Sequence, residues 1–291
     1  MVKHSKTAAV EIYRARSGSA LTGAAALAEA VAPFTIEVRF KGGLTTTQKN
    51  AFKGAADRWT RVIVGDLPAV SVDGEVIDDL VIEAQGVGID GPGKVLGQAG
   101  PTHLRPPAMG VHGFLPAKGV MSFDTADLAE METRGTLQDV IAHEMGHVLG
   151  IGTIWEDKGL LKGSGGTNPT FVGQRAMEEY GILRGNGGPA EVPVENTGSI
   201  GTRDSHWRES IFRNELMSGF ISNPGNPLCR LTVGSLEDMG YTVDLGAAEA
   251  FELVSLFALA EAGDLLPHDA PLGGGMVLQT IPFVLPDDAG Q

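Results

Sequence analysis

"VIAHEMGHVLGIGTIW", residues 140–155, carries two histidines four positions apart, with a glutamate directly after the first. On a helix, His143 and His147 project from one face a turn apart, a spacing at which two imidazoles can bind one tetrahedral Zn²⁺. Glu144 then stands where it can take a proton from a water that the metal has already acidified. The alternative is a pair of solvent-facing histidines on an amphipathic helix. In the long form of the pattern, HExxHxxGxxH, a third histidine follows the glycine by three residues, but here that place is Thr153. The metal reading therefore depends on a ligand elsewhere in the chain.

The motif lies on a well-marked helix. Thr136 with Asp139 is expected to open it as a capping box, and Leu137, Val140, Ile141, Met145, Val148 and Leu149 are its apolar positions. Gly150 is suited to the left-handed residue after its end. Upstream, "FTIEVRF" (34–40) alternates, with Phe34, Ile36, Val38 and Phe40 on one face of a half-buried strand. Thr45 or Thr46 can cap the helix that follows, whose stripe is Ala51, Phe52, Ala55, Ala56, Trp59, Val62 and Ile63. "DLVIEAQGVGID", "KVLGQAG" (94–100) and "GVMSFD" (119–124) read as further strands. A helix between the first two strands suggests a crossover on a mixed sheet. The stretch 156–205 is glycine-rich, with one short helix expected around "GQRAMEEYG", and "TVGSLEDMGYTV" (232–243) reads as a late helix or turn. Residues 1–33 read as a helical or mobile arm. Residues 246–291 read as a tail, helix-like in "AEAFELVSLFALAEAG" and strand-like after it.

Composition bounds the function. The 291 residues hold 22 basic and 36 acidic side chains, a net charge of −14 that argues against nucleic acid or anionic lipid as partner. The single cysteine, Cys229, forms no intrachain disulfide and is expected to be a small buried residue. Neither a secretory signal peptide nor a membrane span is expected, since the basic start has no apolar run behind it. Cytoplasmic and extracellular settings, the latter by unconventional export, both stay open.

Of the seven histidines, His4, His103, His112, His206 and His268 remain as third-ligand candidates, and "SHWRESIFRNELMSG" places Met217 eleven residues after His206. The stretches "HEMGHVLGIGTIW", "HWRESIFRNELMSGF" and "SLEDMGYTV", in that order, resemble the leishmanolysin-like branch of the metzincins, over about residues 34–243. That branch separates the helix glycine from its third histidine by a long insertion. The resemblance implies an α+β, zincin-like catalytic domain: a mixed twisted sheet packed on a long helix and the HExxH helix, with a loop-rich C-terminal subdomain. It implies boundaries at 1–33, 34–245 and 246–291, with the insertion at 156–205. It implies a zinc endopeptidase acting on protein or peptide, with His143, His147 and His206 as zinc ligands, Glu144 as general base and Met217 in the turn beneath the metal. A substrate would pair main chain to main chain along an edge strand near Lys94–Gly100.

The chain also departs from the family. Leishmanolysin is disulfide-rich and kept latent by a propeptide cysteine, whereas Cys229 follows the Met-turn and cannot serve as that switch. Two residues after Met217 stands Gly219, so no tyrosine hydroxyl is offered there. Gln98 and Ser122 stand where related proteins hold a structural zinc, which excludes one here. Asp90, Asp124 and Asp127 could hold Ca²⁺ with loop carbonyls, or serve as turn and capping residues. Trp155 and Trp207 are expected to pack behind the site, and Glu237 and Asp238 to tie the late helix to the turn beneath the metal. Two alternatives remain: a zincin with Glu178 or Glu179 as third ligand, and a non-catalytic zinc-containing binding protein, which would have no need of Glu144.

Overall fold

The alternating strand 34–40 forms as its pattern requires. In the computed structural model, which describes residues 10–18, 32–185, 187–198, 201–221, 223–253 and 276–290, Phe34, Ile36, Val38 and Phe40 are all buried. They point from β2 (Thr35–Gly42) onto α1 (Thr46–Val62), whose predicted stripe is buried against them. Thr45 caps α1 in a complete capping box with Gln48, so two orphan amides at the helix start are paired.

The chain then forms a hairpin, β3 (Val70–Val72) and β4 (Glu75–Ile77), turned by Asp73 and Gly74, both with positive φ. The buried run β5 (Leu80–Val87) follows, then β6 (Val95–Leu104) and β7 (Pro116–Asp124). β5 pairs parallel to both β2 and β7, and β6 turns antiparallel to β7. The mixed sheet expected from the crossover is therefore present, and α1 with α3 (Leu137–Val148) packs on it. Between β7 and α3 lies a further helix, α2 (Thr125–Arg134), capped by the Asp124 side chain. Thr136 starts α3 without a side-chain hydrogen bond, so the expected capping box with Asp139 does not form. Asp139 instead accepts from Arg58 and from the Gly225 amide.

After α3 the glycine-rich stretch holds short pieces: β8 (Leu161–Lys162), β9 (Thr170–Phe171), α4 (Gln174–Leu183) and β10 (Val192–Pro193). β10, β9 and β8 form a small antiparallel sheet. A single turn, α5 (Glu209–Phe212), precedes α6 (Arg230–Met239), which packs on α4. Asp238 accepts from the Arg175 and Ala176 amides at the start of α4, and Glu237 pairs with Arg175. The acidic pair thus ties α6 to α4, not to the turn after His206.

Both ends of the chain join the main sheet, in a way the sequence pattern does not announce. Instead of a helical or mobile lead-in, Glu11–Arg16 is a strand, β1, paired antiparallel to β2. At the other side, β11 (Met276–Gln279) and β12 (Phe283–Val284) pair parallel to β6. The order among the described residues is β1-β2-β5-β7-β6-β11, with β12 beside β6. The Lys94–Gly100 edge, expected to be open, is therefore taken by the chain's own tail. Of the helix-like 248–263, residues 248–253 are not helical and the remainder lies outside the described residues. No described helix is long and apolar enough to cross a membrane.

Candidate metal centre

α3 brings His143 and His147 to one face, and the chain returns His206 to them. The three Nε2 atoms lie 3.0, 3.1 and 2.9 Å apart, pair by pair. Each ring is fixed through its other nitrogen. Nδ1 of His143 lies 2.7 Å from the Leu216 carbonyl, that of His147 2.8 Å from the Ile151 carbonyl, and that of His206 2.9 Å from the Thr202 carbonyl. A carbonyl only accepts, so each Nδ1 must carry the proton and each Nε2 turns a bare lone pair toward the other two. Three lone pairs that converge in a buried place repel one another unless a cation lies among them. A separation near 3 Å also lets one ion sit about 2.1 Å from all three nitrogens, the length of a Zn–N bond. The donor set fits zinc, and the carbonyls behind it are the outer partners that such sites use.

The electrostatics agree with this. Burial lowers His143 to about 4 and His147 to about 3, and holds His206 well below its ordinary value. All three rings are thus kept neutral, the state a metal ligand needs. Burial alone raises Glu144 to about 8, and a cation held by the adjacent rings acts in the opposite direction, toward the carboxylate. Among the described residues no hydrogen bond or ion pair engages that carboxylate.

The supports of the site explain residues around the motif. Gly150 leaves the helix at φ 107°, as expected. Thr153, where a third histidine might have stood, donates its hydroxyl to the His147 carbonyl and closes the turn. At Gly152 a Cβ would come within 2.0 Å of the Ser205 carbonyl oxygen, so only glycine lets the two segments cross. Gly146 plays the same part toward Met217, whose sulfur would lie 2.6 Å from an added Cβ. Met217 is therefore wedged beneath the turn of α3 that lies between the two histidines. Trp59 braces the same helix, its indole donating to the Ala142 carbonyl at 2.9 Å. Trp155 and Trp207 are fully buried and stacked at 4.8 Å, in keeping with packing behind the site.

Two acidic residues that sequence reading passed over position this loop. Glu215, fully buried, accepts from the Met217 amide at 2.6 Å and from the Thr232 hydroxyl at 2.5 Å, which fixes the turn whose Leu216 carbonyl orients His143. Glu195 takes the amides of Asn196, Thr197 and Glu209, and its own amide bonds the His206 carbonyl. Neither "NELMSG" nor "VPVEN" marks its acid by residue type or spacing.

The other candidates lie apart from the triad. Glu178 pairs with Arg175, and Glu179 with Arg230 and Arg175, so neither stands as a third ligand. Among the described residues His103 and His112 are not grouped with the triad, and His4 and His268 lie outside those residues. Nor are Asp90, Asp124 and Asp127 brought together as a metal-holding group. Asp124 accepts from the Ile89, Asp90, Gly91 and Ala126 amides and Asp127 from the Gly93 amide. Asp66, Asp78 and Asp79 do converge, near the buried Arg105, which donates four hydrogen bonds to backbone carbonyls. Cys229 is buried, its thiol raised by that burial and by Glu215.

A family model described as leishmanolysin matches residues 180–257, the stretch that contains His206, Glu215 and Met217. Over this stretch the chain is leishmanolysin-like. The match covers about a quarter of the sequence and begins after α3, so the roles of His143, Glu144 and His147 stand on their spacing and on the geometry above. No curated protein matches the chain. The leishmanolysin-like segment supports a metallopeptidase, and its His206 meets His143 and His147 in a group that could hold a metal.

Proposed function

We propose that the chain is a zinc-dependent endopeptidase of metzincin build, with residues 34–245 as its catalytic unit. The observation that carries this is the convergence of three neutral Nε2 atoms, two of them from the same turn of α3 that carries Glu144. His143, His147 and His206 would hold the ion. Zinc bound there supplies a Lewis acid, which lowers the pKa of water to about 7 and polarises a carbonyl. Glu144 accepts the proton of the attacking water and returns it to the leaving amine, the work of a general base followed by a general acid. Met217 and the Glu215-held turn keep the ring of His143 in place. A substrate would pair with the outer amides and carbonyls of β6 only once Met276–Gln279, which holds that edge here, has left it.

Glu144→Ala is expected to abolish cleavage of a peptide library while the protein retains close to one zinc per chain. In contrast, His206→Ala loses the metal and Glu178→Ala keeps it. Unchanged cleavage by Glu144→Ala would overturn the assignment.

A further inference from the structure

The β6 edge is where a peptide would have to pair if the proposed peptidase reading holds, and the following inference rests on that reading. In the structure this edge is not free. Met276–Gln279 lies parallel along it, with Val277 opposite Gly97, Leu278 opposite Gln98 and Gln279 opposite Ala99. Thr280 then donates its hydroxyl to the Pro101 carbonyl, and Gly100, at φ 144°, lies so close that an added Cβ would fall 2.6 Å from that hydroxyl oxygen. On its other side the segment faces the loop that leads to His206. The Val277 carbonyl is 3.6 Å from where a Cβ on Gly201 would stand. Gln279 shares a cavity of about 500 Å³ with Thr153, Arg203 and Ser205. Thr153 holds the His147 carbonyl, and Ser205 lies 3.2 Å from Nδ1 of His206. The strand thus lies between the sheet edge and a cavity whose lining includes Thr153 and Ser205, the residues that bond to His147 and His206.

We propose that residues 276–280 are an autoinhibitory strap, which occupies the strand-pairing groups of β6 until a substrate or partner displaces them. Strand pairing is exclusive. A peptide approaching β6 in either direction needs the same outward amides and carbonyls that the strap now holds. The strap is also built to leave. Its strand, β11, is only four residues long, Leu278 is 42% exposed, and the side-chain amide nitrogen of Gln279 is buried without a partner. A strand so short, with an unsatisfied donor, is held far less firmly than the buried strands beside it.

The test is a reversible lock in the full-length, zinc-loaded protein. Gln98→Cys and Leu278→Cys place two thiols at register partners, both on exposed positions, while the native Cys229 is buried. Binding of a fluorescent peptide is read by anisotropy on a Glu144→Gln background, and cleavage is read in parallel with Glu144 intact. Oxidation is expected to weaken peptide binding at least tenfold, with zinc content unchanged, and reduction to restore it. Thr280→Val, which removes one hydrogen bond of the strap, is expected to strengthen peptide binding by about fivefold. Equal binding by the oxidised and reduced forms, together with no gain in Thr280→Val, overturns the strap. Binding that switches with the lock, in a protein whose cleavage never depends on Glu144, keeps the strap and removes the peptidase reading instead.

Discussion

Gly152 sits where the chain leaving α3 crosses the segment that carries His206, with φ 73° and no room for a side chain. Gly152→Ala must push the Ser205 backbone aside and so move His206 from the other two rings. The expected loss in zinc affinity is roughly 10- to 100-fold, the range seen when outer partners of a metal are disturbed. It is measured by competition with a chromophoric chelator. Gly159→Ala is the control, because Gly159 has a similar φ of 65° but nothing within 4 Å of an added Cβ. Equal losses in the two variants would place the effect in backbone strain and not in the crossing. At this scale the chemistry-bearing residues were legible, since His143, Glu144 and His147 declare themselves by type and spacing alone. Glu195 and Glu215 were not, because their partners are backbone amides that only the folded loop brings to them.

Among the elements, β2, α1 and α3 were readable because each has one clear apolar period. α2 and the β3–β4 hairpin were not read, although Asp124 with Gly135 as caps and Asp73-Gly74 as a turn stand at their ends, because both are short. Asp124 shows how one side chain can join such elements. It caps α2 through the Ala126 amide and gathers three amides of the loop before β6, bonds that hold its carboxyl below the usual range. Amide protons thus point at oxygens that a calcium ion would need. Asp124→Ala is expected to lower stability by about 2 kcal/mol, a lost cap plus lost loop bonds. Millimolar calcium is expected to leave the thermal midpoint unchanged, and a rise in that midpoint that is absent from Asp124→Ala would restore the calcium reading.

On the scale of the molecule, the sheet is tied at one end by Arg105 and Asp79. Arg105, fully buried, donates to the carbonyls of Pro68, Asp78, Asp79 and Pro116. The Asp79 carboxyl accepts from the Thr35 and Leu67 amides, and burial raises it to about 7 in spite of those bonds. A folded acid that holds its proton more tightly than the unfolded chain stabilises fully below the ordinary value near 4, and loses that contribution as pH rises through about 7. Asp79→Asn has no such titration. Its urea-derived stability and that of the wild type should therefore draw together between about pH 4 and pH 7, by up to roughly 1.4 kcal/mol per pH unit. Parallel pH profiles would show that Asp79 is ionised throughout. The sequence by itself determined two histidines and a glutamate at a spacing suited to a metal, and the helix that presents them, because residue type and helical period are local properties. Only the tertiary structure decided how His206 meets the other two rings, that both oxygens of Asp124 are taken by amides, and that β6 is covered. Each of these depends on segments far apart in the chain, such as Leu278 opposite Gln98, whose meeting is fixed by burial and strand pairing and leaves no periodic trace in either segment.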